Sequence, residues 1–279
     1  MLPRLGSAAA VGCRSARPAD RRRQLQAQRR YLETSQFGLG HHLSDHAYWE
    51  DFYDRRIKDP KASQQFEWFL SPRRTVQLIQ SVTALPSGQA PAGASAGAAA
   101  EAGGAGRALL HVGCGTSTLG LDLLRAGVCT SLINTDYSST AVRDMALAHG
   151  THDGRCSWVE DDCTASSLPS GSFDLVVDKG TMDALGFGDG GVARCQRMVS
   201  EMHRLLRPGG IFLQVTDEPP ERGRAEVLEL GLSAAAGDGD APEQVGWQSS
   251  KWRRVTEQQP DDLFGDDDGF EYYAYWVSR

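Results

Sequence analysis

The chain has 279 residues, 40% hydrophobic and 23% charged, which is one large domain or two small ones, and no apolar run reaches the roughly 18 residues of a bilayer-spanning helix. The net charge of -7 conceals a split: residues 1–30 carry eight arginines against the single acid Asp20, a charge of +7, which leaves -14 on residues 31–279. A body that acidic repels phosphates and excludes a nucleic-acid binder working by counterion release, and the chain reads as a globular one without a membrane partner.

Residues 1–30 are rich in Arg, Ala, Ser and Gln, nearly free of acid, and lack the apolar core of a secretory signal. That is the pattern of a mitochondrial transit peptide, with Arg29-Arg30 before Tyr31 marking a processing region. A basic tail without an address, or an arm touching RNA, is the alternative. Cys13, Cys114, Cys129, Cys156, Cys163 and Cys195 form no Cys-x-x-Cys pair and have no histidine at zinc-ligand spacing, so no metal is expected and the thiols fit a reducing compartment.

The segment 31–83 reads as helical. Tyr48, Trp49, Phe52, Tyr53 and Ile57 fall at helical spacing over 46–58, with Asp45 or Ser44 as N-cap, and after Phe66-Glu67-Trp68-Phe69 a second helix starts at Pro72. Residues 84–106 hold 10 Ala and 6 Gly, a surface loop by composition. Strand and helix then alternate through 107–279: strands over 108–112, 130–135, 156–160, 173–178 and 211–216, helices over 118–126, 138–149 and 192–206, the last ended by a turn at Arg207-Pro208-Gly209-Gly210. Such alternation makes a parallel sheet covered on both faces. Residues 225–244 read as a polar, Ala/Gly-rich stretch. Two closing strands, 247–256 and 270–277, have no helix between them and must pair antiparallel.

Four stretches carry chemistry. In His111-Val112-Gly113-Cys114-Gly115 a strand runs into Gly-x-Gly, where backbone can turn sharply and approach a ligand; Thr118 replaces the third glycine of the dinucleotide fingerprint. Asp136, at the end of the second strand, either accepts from a ribose diol or caps the helix beginning at Ser138, with Tyr137 beside it to pack on sugar or base. Asp162 and Cys163 end the third strand, where a carboxylate can accept from an adenine amine and a backbone N–H can donate; Asp161 is expected to point the other way. After the fourth strand, Lys179 is one of only four lysines and stands where it can pair a cofactor carboxylate.

Together, HVGCGTSTLG, Val177 to Leu185 (VDKGTMDAL) and Tyr48-Trp49 resemble the seven-β-strand S-adenosylmethionine-dependent methyltransferases, in the methyltransferase-like group of protein-lysine methyltransferases that act on mitochondrial citrate synthase and on translation elongation factor 1-alpha. The resemblance implies a Rossmann-like α/β fold: a seven-stranded, mostly parallel sheet with helices on both faces and a C-terminal antiparallel β-hairpin. It implies S-adenosyl-L-methionine as cofactor, with Gly113 against its methionine part, Gly115 also binding it, Asp136 and Tyr137 at the ribose, Asp162 and Cys163 at the adenine, Trp49, Tyr53 and Trp68 closing over it, and Lys179 lining the site. By the front end, it implies the mitochondrial matrix and citrate synthase as protein substrate. No catalytic base is assigned; Asp178 and Asp183 are candidates to orient an acceptor amine, and either can instead cap a helix. The rival readings are an enzyme on elongation factor 1-alpha, a small-molecule methyltransferase, a non-catalytic cofactor-binding module and a nicotinamide-dependent oxidoreductase.

Overall fold

A computed structural model describes residues 42–59, 67–83, 106–233, 246–256 and 271–279. The basic segment 1–30 and the Ala/Gly stretch up to 105 lie outside the described residues. Two helices come first, α1 (His46–Lys58) and α2 (Pro72–Thr83). Asp45 is the N-cap of α1: its side chain accepts from the Ala47 N–H at 3.0 Å. Trp49 and Tyr53, four apart, share the buried face of that helix.

The alternating part runs β1 (Ala108–Val112), α3 (Leu119–Arg125), β2 (Ser131–Asp136), α4 (Ser139–His149), β3 (Cys156–Glu160), β4 (Phe173–Lys179), α5 (Thr181–Leu185), α6 (Gly191–Leu205), β5 (Leu206–Thr216), α7 (Arg224–Ser233), β6 (Ser249–Thr256) and β7 (Glu271–Ser278). The seven strands form one sheet in the order β3-β2-β1-β4-β5-β7-β6. Strands β1 to β5 are parallel; β7 is antiparallel to β5 and to β6. Strand order reverses between β1 and β4, which opens a crevice outside their carboxyl ends.

Period-2 alternation sends neighbouring side chains of each strand into different cores. Leu110, Val112, Val176 and Phe212 pack with Met198, Val199 and Met202 of α6. Leu109, Leu175, Val177 and Leu213 pack with Leu78 and Ile79 of α2 and with Leu119, Leu121 and Leu123 of α3. The sheet is therefore covered on both faces. No helix among the described residues is long and apolar enough to cross a membrane.

Two elements were not legible and one boundary moves. Helix α5 has five residues, too few for a helical period to register, and α7 lies in what reads as polar loop. The Arg207-Pro208-Gly209-Gly210 stretch is not a turn between helix and strand. Helix α6 stops at Leu205, Leu206 already pairs with Phe173, and the prolyl-glycyl residues are an irregularity inside β5. Gly209, at φ +79, donates its N–H to the Arg279 carbonyl at 2.7 Å and so ties this strand start to the chain end.

Candidate active site

A cleft of about 330 Å³ lies at the carboxyl ends of β1 to β4, under α1 and the segment 67–70. All ten residues expected around a cofactor line it: Trp49, Tyr53, Trp68, Gly113, Gly115, Asp136, Tyr137, Asp162, Cys163 and Lys179. The glycine loop makes its floor. Gly113 and Gly115 sit at φ +58 and +48, and a Cβ on them would stand 1.9 Å from Thr181 Oγ1 and 2.3 Å from the Tyr53 hydroxyl. Gly113→Ala adds left-handed strain to that collision and is expected to destabilise the fold by about 2 to 5 kcal/mol. Denaturant unfolding checks this; an unchanged midpoint would mean that Thr181 gives way.

Asp136 is buried, and both its oxygens accept from backbone: Oδ2 from the Gly115 N–H at 2.8 Å and Oδ1 from the Ser138 N–H at 2.9 Å. The cap of α4 is Ser138 itself, whose hydroxyl accepts from the Ala141 N–H at 3.1 Å. Asp136 thus clamps the glycine loop to β2 and is part of the cleft lining. Burial raises its pKa to about 6, against which the two N–H bonds work.

Lys179 is engaged by the chain itself. Its ammonium donates to Glu67 Oε2 and to the Trp68 carbonyl, each at 2.7 Å, and its side chain is 3% exposed. Glu67 in turn accepts from the Ser117 hydroxyl at 2.8 Å and the Thr118 N–H at 3.3 Å. One carboxylate therefore joins the N-terminal segment, the start of α3 and the end of β4. Above it, Trp49 stacks on Tyr53 with ring centroids 5.8 Å apart and meets Trp68 edge-on at 6.4 Å.

Beyond β3, Asp161 and Asp162 both line the cleft. Asp161 therefore does not point away from the cleft as its alternation with Asp162 suggests; it accepts from the Ser167 N–H at 2.8 Å, and Asp162 accepts from the Thr164 N–H at 2.8 Å. Cys163 is a buried thiol whose pKa is driven up by burial and the charge of Asp178, so it acts as wall and not as nucleophile.

Asp178 and Asp183 are not among the lining residues. Asp178 accepts from the Thr181 N–H at 2.8 Å and from Gln214 Nε2 at 2.8 Å, anchoring α5; burial and Asp183 raise its pKa to about 6. Asp183 accepts from the Thr216 hydroxyl at 2.6 Å and pairs with the buried Arg224, which also pairs with Glu218. Both carboxylates belong to the polar scaffold under the cleft.

Three participants escape a reading of the sequence. Glu67 sits inside an aromatic string, and its partner Lys179 is 112 residues away. Glu50 accepts from the Ser139 N–H at 2.6 Å, and His46 Nε2 lies 3.0 Å from the Tyr137 carbonyl; both fasten α1 to the start of α4. Only the tertiary fold shows these pairs.

Comparisons with known proteins match the chain to methyltransferases. A model of the methyltransferase domain matches residues 110–214. The mitochondrial citrate synthase-lysine N-methyltransferase of Danio rerio is 30% identical over 204 residues, 69% of this chain and 75% of that protein. EEF1A lysine methyltransferase 4 of Mus musculus is 29% identical over 177 residues. The chain spans 61% of that mouse protein and 46% of its Bos taurus counterpart. In fold it resembles the N-methyltransferase NodS of Bradyrhizobium japonicum, at a TM-score of 0.50 and 14% identity over 82% of this chain and 97% of that one. This is an S-adenosylmethionine-dependent methyltransferase fold with its ligand crevice at the strand switch point. The chain belongs to the methyltransferase family that includes the protein-lysine N-methyltransferases, whose cofactor is S-adenosyl-L-methionine. The lining residues fit that group in chemistry: a glycine loop where no side chain can be added without collision, the buried carboxylate of Asp136, and an aromatic roof, whose ring quadrupoles attract a cation.

Proposed function

We propose that this chain methylates a lysine side chain of a protein, that the protein is citrate synthase, and that the site of action is the mitochondrial matrix. The first part is supported by the cleft, where the glycine loop, the buried Asp136 and the aromatic roof converge beside β4, together with the lysine-methyltransferase relatives. The mitochondrial part is supported by the arginine-rich, acid-poor residues 1–30 and by the mitochondrial relative. The net charge of -14 on the remainder favours approach of a basic, lysine-bearing surface.

In this reading Gly113 and Gly115 would hold the methionine part of the cofactor, Asp136 and Tyr137 its ribose, and Asp162 and Cys163 its adenine. Trp49, Tyr53 and Trp68 would close over it from the N-terminal segment, and Lys179 would line the methionine end. When bound, S-adenosylmethionine supplies an electrophilic methyl group on a sulfonium. The chain's own task is alignment. The aromatic roof excludes water, the glycine loop fixes depth, and Glu67 locks roof to floor through Lys179. A lysine acceptor must enter deprotonated, which from a reference pKa near 10.4 costs roughly 3 kcal/mol at about pH 8. No base is assigned to that proton, since Asp178 and Asp183 are held within the scaffold.

Asp136 sets a pH dependence. Its carboxylate, not its acid form, accepts from a diol, and with a pKa of about 6 it protonates as pH falls through that value. Affinity for S-adenosylhomocysteine is expected to weaken below about pH 6 and to level off above about pH 7. Titration calorimetry across that range checks it, and Asp136→Asn should flatten the profile.

The function is tested by incubating the full chain with radiolabelled S-adenosylmethionine and either a mitochondrial extract or purified elongation factor 1-alpha. Label on a band that citrate synthase antibodies deplete is the expected result. Label on the elongation factor alone would replace the substrate. Bound cofactor with no labelled protein would leave a small-molecule methyltransferase or a binding module.

A further inference from the structure

Strand β6 is one of the two edges of the sheet, and among the described residues nothing pairs with its outer side. It is the longer edge. Its eight residues, SSKWRRVT, pair with β7 from Ser249 to Thr256 without a register shift, whereas β3 at the other edge has five. An open edge presents a row of backbone N–H and C=O groups to any strand that can lie beside it, and proteins blunt it by shortness, a bulge or a proline. β6 has none of these. From Lys251 to Arg254 every residue is exposed, Trp252 at 42%.

What β6 does have is charge, and its sign selects the partner. Lys251, Arg253 and Arg254 stand together with no acid in the strand. Alternation puts Lys251 and Arg253 on one face, Trp252 and Arg254 on the other. Arg254 pairs with Glu271 of β7 at 2.7 Å. Arg253 donates to Ser81 Oγ at 3.0 Å and lies over the Trp276 ring at 6.0 Å; a hydroxyl and a ring leave its charge uncancelled. Three cations against Glu271 leave +2 on this edge, in a body of -14. A second copy of the same edge would set like charges opposite one another, which disfavours self-pairing. An acidic strand sets opposite charges there.

We propose that β6 docks an extended acidic segment of the protein substrate by adding it to the sheet as a further strand. β6 stands three strands, about 14 Å, from β4, so the segment is held outside the cleft. The partner's identity as substrate rests on the lysine-methyltransferase reading above; the affinity of the edge for an acidic strand does not.

The full chain is titrated, by fluorescence anisotropy, with a labelled decapeptide of alternating glutamate and threonine and with two controls. In one control proline replaces threonine; in the other lysine replaces glutamate. The glutamate–threonine peptide should bind at least about 10-fold more tightly than either. Proline keeps the charge but cannot donate to a ladder, so equal binding of that control would mean a charged patch and would overturn strand addition. Equal binding of the lysine control, or no binding of the acidic peptide, would overturn the proposal, as would tighter binding of oligouridylate. Lys251→Glu combined with Arg253→Glu should weaken the acidic peptide by about 10-fold or more. The same variant should raise KM for the protein substrate by a similar factor and leave kcat and S-adenosylhomocysteine affinity unchanged, because neither residue lines the cleft. Unchanged KM would refute docking of the substrate. If no protein is labelled at all, it is the lysine-methyltransferase reading that fails, and the peptide titration, which needs no turnover, still decides the edge.

Discussion

Asp136→Ala is expected to weaken S-adenosylhomocysteine binding by about 100-fold or more and to bring methyl transfer below detection. Three demands meet on this carboxylate. It holds the Gly115 N–H, it holds the Ser138 N–H, and in the proposed reading it accepts from the ribose diol. Bonds to a charged acceptor contribute about 1.5 to 3 kcal/mol each, and the alanine also leaves two backbone donors without this partner. The loop that forms the cleft floor would relax along with the lost ligand contact. Calorimetric titration reads the effect directly. Affinity within about threefold of native would remove Asp136 from the site.

Glu67→Ala should destabilise the fold by about 2 to 3 kcal/mol and weaken cofactor binding as well. Removing one partner of a buried ion pair costs about 3 to 5 kcal/mol, because a desolvated charge loses its compensation. The lower figure applies here because the Glu67 side chain is 21% exposed and partly screened. Lys179→Met is expected to destabilise less. Glu67 would still accept from the Ser117 hydroxyl and the Thr118 N–H, whereas the lysine ammonium, 3% exposed, loses its counter-charge in the first variant. Chemical denaturation of the two variants gives the order. A larger loss for Lys179→Met would contradict the role of Glu67 as the carboxylate joining roof, loop and strand.

The sequence and the fold agree where a local signal exists. The alternation of strands and helices from Ala108, the Gly-x-Gly turn and the two strand-like runs that close the sequence are all local patterns, and they lead to the sheet and to its ligand end. Asp136 and Asp162 are legible for the same reason, since each ends a strand. Trp49 and Tyr53 are legible as a pair because four residues make one helical turn. What was hidden depends on contacts across the chain. Glu67 reads as part of an aromatic string until Lys179 stands beside it. Asp178 and Asp183 read equally as site residues and as structural ones, and only their partners Gln214, Thr216 and Arg224 show them held in the scaffold. Helix α7 was hidden by composition, because its alanine and glycine neighbours suggest loop.

The central claim, transfer of a methyl group to a protein lysine, is tested most directly by the chemical form of the product. After reaction of the full chain with radiolabelled S-adenosylmethionine and citrate synthase, the protein is hydrolysed to amino acids and the label is chromatographed. Recovery of the radioactivity as methylated lysine is the predicted result. Radioactivity in another amino acid, in a base-labile ester or only in small molecules would contradict it.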